Sequence, residues 1–129
     1  MVGFSNPQVS INNVPILIMP NSLKFNVGKG DTKVRAQSAG GNSTVPVITQ
    51  DKSTQIGKVS FDMAVIATNI TLASTWKDNL DQNVITISQT GISQPIVFQQ
   101  MAMMNDPQYE ASADGKFTVE FAGQPAIAL

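Results

Sequence analysis

Apolar and polar positions alternate with a period of two along most of this chain. Gly57–Val65 is the plainest case, with Val59, Phe61, Met63 and Val65 set against Lys58, Ser60, Asp62 and Ala64. That pattern gives a strand one dry face and one wet face. Phe117, Val119 and Phe121 alternate with Lys116, Thr118 and Glu120 in the same way. The stretch Ile96–Met104 differs. Val97, Gln99, Met101 and Met103 fall on one face of an extended chain, and Ile96, Phe98, Gln100, Ala102 and Met104 fall on the other. Both faces are largely apolar, so cover is expected on both sides, with a neighbouring subunit as one candidate for the second. Asn105-Asp106-Pro107 ends this strand, and Asp114-Gly115 marks a turn before the next.

The remaining segments follow the same logic. Ile11–Pro20 is short, apolar and bracketed by Pro15 and Pro20, which suits an edge strand or an extended arm. Ser22–Val27 and Thr32–Ala39 both alternate. With Gly28-Lys29-Gly30-Asp31 between them, they are expected to form a hairpin with a basic wet face. Gly40-Gly41-Asn42-Ser43 frees the backbone, and Gly40–Gln55 is expected as a long loop or a projecting hairpin. Val84–Ser88 is another short strand, and Gly91 and Pro95 mark a turn after it. The one good helix spans Asn69–Leu80, with Asn69 as its cap. Leu72, Trp76 and Leu80 recur at helical spacing, which predicts that this stripe packs on the sheet. The expected fold is mainly β: an antiparallel β-sandwich or barrel of seven or eight strands with one flanking helix, in one domain over residues 1–129. An N-terminal arm (1–14), the long loop (40–55) and a C-terminal tail (122–129) complete it.

Composition changes the picture in one respect. Only 13% of residues are charged, against roughly 25% in average soluble domains. Asn, Gln, Ser and Thr together number 42. Such groups are buried in hydrogen-bonded pairs at less cost than charges are, so the surface suits a subunit of a large assembly. The net charge of −1 argues against a basic nucleic-acid-binding patch. No apolar run reaches the roughly 18 residues of a membrane span, and the first ten residues do not read as a secretory signal.

Candidate chemistry is sparse. The chain has no cysteine and no histidine, which removes thiolate metal sites, disulfides and the commonest general base. Asp106, Glu110 and Asp114 are spaced by four but lack the dense acidic pattern of a calcium loop. They read as turn residues bonding their own backbone. Gly28-Lys29-Gly30 lacks the phosphate-loop pattern and reads as a hairpin tip. Lys24, Lys33, Arg35 and Lys58 have Asp31 and Asp62 among them and read as a solvated or subunit-facing sheet surface. No catalytic, cofactor-binding or metal-ligating residue is expected, and the chain does not read as an enzyme. A ligand-binding β-sandwich would want exposed aromatics, and only Trp76 and Tyr109 are available.

Several segments jointly resemble the tail tube proteins of contractile-tailed bacteriophages. They are Pro20–Phe25, Val34–Ser43, Ile56–Asp62, the helix with Trp76-Lys77, Asn105-Asp106-Pro107, and Ala111–Lys116 with the strand to Phe121. Their order and spacing cover roughly residues 14–125. The resemblance implies a β-sandwich that assembles into stacked hexameric rings, with inner sheets joined into one barrel around a lumen. It also implies a virion component made in the host cytoplasm. Its partners would be a sheath, a baseplate or tube initiator, a terminator and a tape measure protein, and DNA would pass without sequence-specific binding. The tube of type VI secretion shares that architecture and is the nearest alternative. On this reading Gly40, Gly41, Asn42, Val45, Val47 and Ile48 form the inter-ring contact.

Overall fold

The structure is a computed structural model that describes residues 7–89 and 94–127. Among the described residues nine strands and one α-helix follow in the order β1 (Gln8–Ile11), β2 (Val14–Ile16), β3 (Lys24–Asn26), β4 (Asp31–Ser38), β5 (Thr44–Asp51), β6 (Gly57–Ala64), α1 (Ala67–Asp78), β7 (Asn83–Ser88), β8 (Ile96–Met103) and β9 (Lys116–Gly123). Seven strands form one antiparallel sheet in the order β2-β1-β7-β8-β9-β6-β3, and β4 and β5 form a separate pair. The fold is mainly β with one helix, as the alternation predicts.

The sheet doubles over on itself at β8. The first half of β8 pairs with β7, through Ile85↔Phe98, Thr86↔Val97 and Ile87↔Ile96. Its last residues pair with β9, through Ala102↔Ala122 and Met103↔Phe121. Between them the register against β7 shifts, and Gln100 takes a φ of 52°. This is a bulge: one extra residue bends the strand and re-aims its side chains. Ile96 and Phe98 before it, and Met101 and Met103 after it, all enter one core. The expectation of two apolar faces on this strand is therefore corrected. The two apolar sets share one face, and the slip at Gln100 brings them there. On the other side Gln99 and Gln100 are exposed and Val97 and Ala102 half-buried, so this strand gives no argument for a second layer.

Glycines make the bend possible. Gly57 and Gly123 are directly paired across β6 and β9. A Cβ on Gly57 would strike the Gln124 carbonyl oxygen and Phe98, and one on Gly123 the Gln100 carbonyl oxygen and Met101. The bulged strand thus lies where no larger side chain fits.

The core unites both halves of the sheet: Val9, Ile11, Ile85 and Ile87 from one, and Val59, Phe61, Met63, Phe117, Val119 and Phe121 from the other. Helix α1 closes it. The Trp76 ring lies 6.3 Å from Phe61 and 5.8 Å from Phe121, both at steep angles, as aromatic quadrupoles prefer. Asn83 is fully buried. Its Nδ2 donates to the carbonyl oxygens of Trp76 at 2.9 Å and Met101 at 3.1 Å, so one amide ties the helix end to β8. Asn69 lies inside the helix, not at its cap, and its Nδ2 donates to Ala64 O at 2.9 Å. Leu72 is half-buried and Trp76 buried. Leu80 is 72% exposed, because the helix has ended and Leu80 turns the chain with a φ of 53°. The packed stripe is Asn69, Ala73 and Trp76, with Leu72 beside it, and Leu80 is not part of it.

Two further expectations change. Residues of the anticipated N-terminal arm form β1, with Val9 and Ile11 in the core. Asn12 and Asn13, with φ of 54° and 67°, turn β1 directly into β2. Two such angles in a two-residue loop make the turn that matches strand twist. The tail folds back, with Ala126 N donating to Val27 O and Ile127 N to Val97 O. The turn expected at Gly91 lies outside the described residues.

Candidate assembly surfaces

The pairing of β3 corrects the expected Ser22–Ala39 hairpin. β3 pairs with β6, through Lys24↔Ser60, Phe25↔Val59 and Asn26↔Lys58. β4 turns away and pairs with β5 over eight register pairs, from Asp31↔Asp51 to Ser38↔Thr44. Gly28-Lys29-Gly30 is thus the corner where the chain leaves the sheet, not a hairpin tip. The tip is Ala39–Ser43, closed by Ala39 N donating to Ser43 O at 3.0 Å. Gly40 and Gly41 supply the positive φ, at 99° and 58°, that the turn requires. The projecting element therefore starts at Asp31, nine residues before the segment that the glycines suggest.

The base of this hairpin is fastened to the turns that flank it. Asp31 N donates to Thr54 Oγ1 at 2.6 Å, and Gln50 Nε2 to Lys29 O at 2.6 Å. Asp51 Oδ1 caps the short 3-10 turn Lys52–Thr54 by accepting from Ser53 N. Beyond the base, every residue of β4 is exposed, and only Val47 and Asp51 of β5 are half-buried.

Register divides the hairpin into two faces. Thr32, Val34, Ala36 and Ser38 share one with Gln50, Ile48, Pro46 and Thr44, and no charge stands on it. Val34 is 63% and Ile48 67% exposed. The second face holds Asp31, Lys33, Arg35 and Gln37 opposite Asp51, Thr49, Val47 and Val45. Among the residues expected to make the inter-ring contact, Gly40, Gly41 and Asn42 form the tip. Val45 and Val47 lie on the charged face, and Ile48 lies on the other with Val34. Val34 joins this surface because the register sets it directly across from Ile48, a pairing that alternation within either strand does not reveal. Pro46 also interrupts the backbone donors of β5, while β4 has no proline and keeps its full edge. Pro15 interrupts the outer strand β2 in the same way.

A second surface is the outward face of β3, β6 and β9. An open groove of about 460 Å³ runs over it, lined by Lys24, Lys58, Ser60, Glu120 and Met104 among others. Its charges are mixed and its floor is sheet. At the far end of β9, the chain between Met103 and Lys116 is held by Asn105. Its side chain takes a strand's place, donating to Thr118 O at 2.7 Å and accepting from Glu120 N at 3.0 Å. Tyr109 packs edge-on against Phe117 at 4.9 Å. Burial there, and then the Asp106 carboxylate, push its phenol above the ordinary 10.0. Among the described residues no three acidic side chains gather as metal ligands would.

No family model matches the sequence, and no curated protein matches it either. Solved structures do share the fold. A chain in the tube-terminating cap of the anti-feeding prophage matches with a TM-score of 0.67 at 8% identity, over 100% of this chain and 91% of that one. A chain in the sheath–tube complex of PVC, an extracellular contractile injection system, matches with a TM-score of 0.66 at 14% identity, over 100% and 91%. A chain in the anti-feeding prophage baseplate matches with a TM-score of 0.56 at 11% identity, over 95% and 90%. At these identities the likeness is one of fold: this chain has the fold of components of contractile injection systems.

Proposed function

We infer that this chain is a structural, self-assembling tube subunit of a contractile injection apparatus, stacking as hexameric rings. The observation that carries this reading is the β4–β5 hairpin. It is a regular eight-pair ladder that buries no residue, on a fold that tube-complex chains share. An isolated two-stranded ribbon is marginal in water, and Val34, Val45 and Ile48 gain nothing until a neighbour covers them. The low charge of the whole surface supports the same reading. In a phage tail the lumen would pass DNA, which a chain of net charge −1 would not grip. Sheath, baseplate initiator, terminator and tape measure proteins would be the partners there. A secretion-type tube is the alternative within this reading. A ligand-binding sandwich is less well supported, since Trp76 is buried and Tyr109 leans on Phe117.

The fold likeness to a tube-terminating cap favours a second reading, in which the chain forms a single closing ring. One experiment separates the two. Purified protein is examined by negative-stain microscopy beside a variant in which Lys33–Thr49 is replaced by Asn-Gly, so that Thr32↔Gln50 closes the shortened hairpin. The tube reading expects long tubes from the natural chain and, at most, single rings from the folded variant. Single rings from both point to the cap. A stable monomer of the natural chain at high micromolar concentration overturns both.

A further inference from the structure

The two ends of the β6–β9 ladder carry opposite charge. The ladder runs from Gly57↔Gly123 to Ala64↔Lys116, about 25 Å at a strand's rise per residue. The hairpin leaves from the Gly57 end. Residues 24–58 hold six basic side chains against the acids Asp31 and Asp51, a net of four positive charges; on the hairpin itself the cations are Lys33 and Arg35, with both acids confined to its base at the pair Asp31↔Asp51. At the Ala64 end lies the chain from 104 to 115, anchored there by Val65 N donating to Gly115 O. It carries Asp106, Glu110 and Asp114 and no basic residue. Asp78, at the end of α1, shares a small cavity with Asp106, Pro107 and Tyr109, and Lys77 lines it as the one cation there. All four carboxylates are exposed. Among the described residues the ion pairs are Lys33–Asp51 and Lys116–Asp62, each at 3.9 Å, so neither Arg35 nor any of these four acids is engaged in one.

We propose that the charged face of the hairpin docks on the acidic 104–115 segment of a second copy, with Lys33 and Arg35 set against Glu110 and Asp114. This rests on the self-assembly proposed above and names the surface that receives the hairpin. The apolar chemistry matches as well. Val45 and Val47 flank the cations on one side, and half-exposed Tyr109 and exposed Met104 flank the acids on the other. Charges that steer approach around an apolar centre are the usual anatomy of a specific contact. Because the two patches differ and lie at opposite ends, each copy both gives and receives. Such a contact propagates into a ring or a stack and does not close as a two-fold dimer.

The test is a charge exchange. One variant carries Lys33→Glu and Arg35→Glu, the other Glu110→Lys and Asp114→Lys, and circular dichroism checks that both fold. All four positions are exposed. Each variant alone sets like charges together at the contact, so neither should elongate. Mixed in equal amounts, acidic hairpins meet basic segments and basic hairpins meet acidic ones, and elongation should return as an alternating polymer. For the natural chain, sedimentation should show the apparent association constant falling about tenfold between roughly 50 and 500 mM NaCl, as the screening length shortens. Assembly of either variant alone, indistinguishable from the natural chain, overturns the pairing and leaves the tube reading standing. Failure of the mixture to assemble, when the natural chain does, also overturns it. Absence of assembly by the natural chain at any salt overturns both proposals together.

Discussion

The molecule holds two antiparallel ladders of eight register pairs each, and they stand in opposite surroundings. The β6–β9 ladder drives Val59, Phe61, Met63, Phe117, Val119 and Phe121 into the core. The β4–β5 ladder drives nothing anywhere. Backbone pairing is the same in both, so pairing alone does not tell a strand that holds the fold from one that is held ready. Side-chain volume tells them apart. The inward positions of β6 and β9 are aromatic or large, while those of β4 and β5 are Val, Ala, Pro and Ile among hydroxyls and amides. The first ladder is buried at folding, and the second, on the reading proposed above, is buried at association.

Stability measurements can break that comparison. The largest effect is expected at Phe61, fully buried between Trp76 and Phe121. Phe61→Ala should cost about 3–5 kcal/mol in chemical unfolding. A cost below about 1 kcal/mol would mean that this ladder is not the core. Next is Asn83→Ala, which leaves the carbonyls of Trp76 and Met101 without their donor and should cost about 1–3 kcal/mol. Thermal unfolding of that variant should show whether the helix end loosens first. In the other ladder, Val34→Ser with Ile48→Ser should stay within about 0.5 kcal/mol of the natural chain, yet lower assembly measured by light scattering. A large loss of stability there would show that the hairpin belongs to the fold after all. The smallest effect concerns Tyr109. Its raised phenol keeps a proton that the unfolded chain gives up near 10, so its contribution is complete below pH 10 and fades as pH climbs through the folded value. Ultraviolet titration should place Tyr109 above 10.0 in the native protein, and at the ordinary value in denaturant.

The strands of the buried ladder were legible in the sequence because they obey one rule from end to end. β6 and β9 alternate without interruption. Alternation misplaces the faces of β8 beyond Gln100, since a bulge leaves no mark in composition and shifts the face by one position. The hairpin escapes alternation for another reason. Gly28-Lys29-Gly30 has the chemistry of a tight turn, and turn chemistry does not say which strands it joins. β3 found its partner in β6, across more than thirty residues, because Phe25 belongs over Phe98. Leu80 continued a helical spacing that the backbone had already left. For the assembly surface, the glycines of the tip were readable, and so was an apolar content beyond it. That Val45 and Ile48 lie on opposite faces needed the register.

The place of β9 in the sheet has a consequence for how the chain reaches this state. β9 pairs with both β6 and β8, and β1 pairs with β7 some eighty positions away, at Gln8↔Ser88. As the chain leaves the ribosome, β6 emerges with its apolar row bare, and its partner follows more than fifty residues later. The β4–β5 ribbon closes locally, on the scale of microseconds, while the body must wait. Pairings so distant in sequence make folding slow, and the waiting intermediate exposes strand edges that invite misassociation. The early hairpin shields none of them. Folding of this chain is therefore expected to be gated by the arrival of Lys116–Gly123, and truncation before Lys116 should yield an aggregating chain with no core.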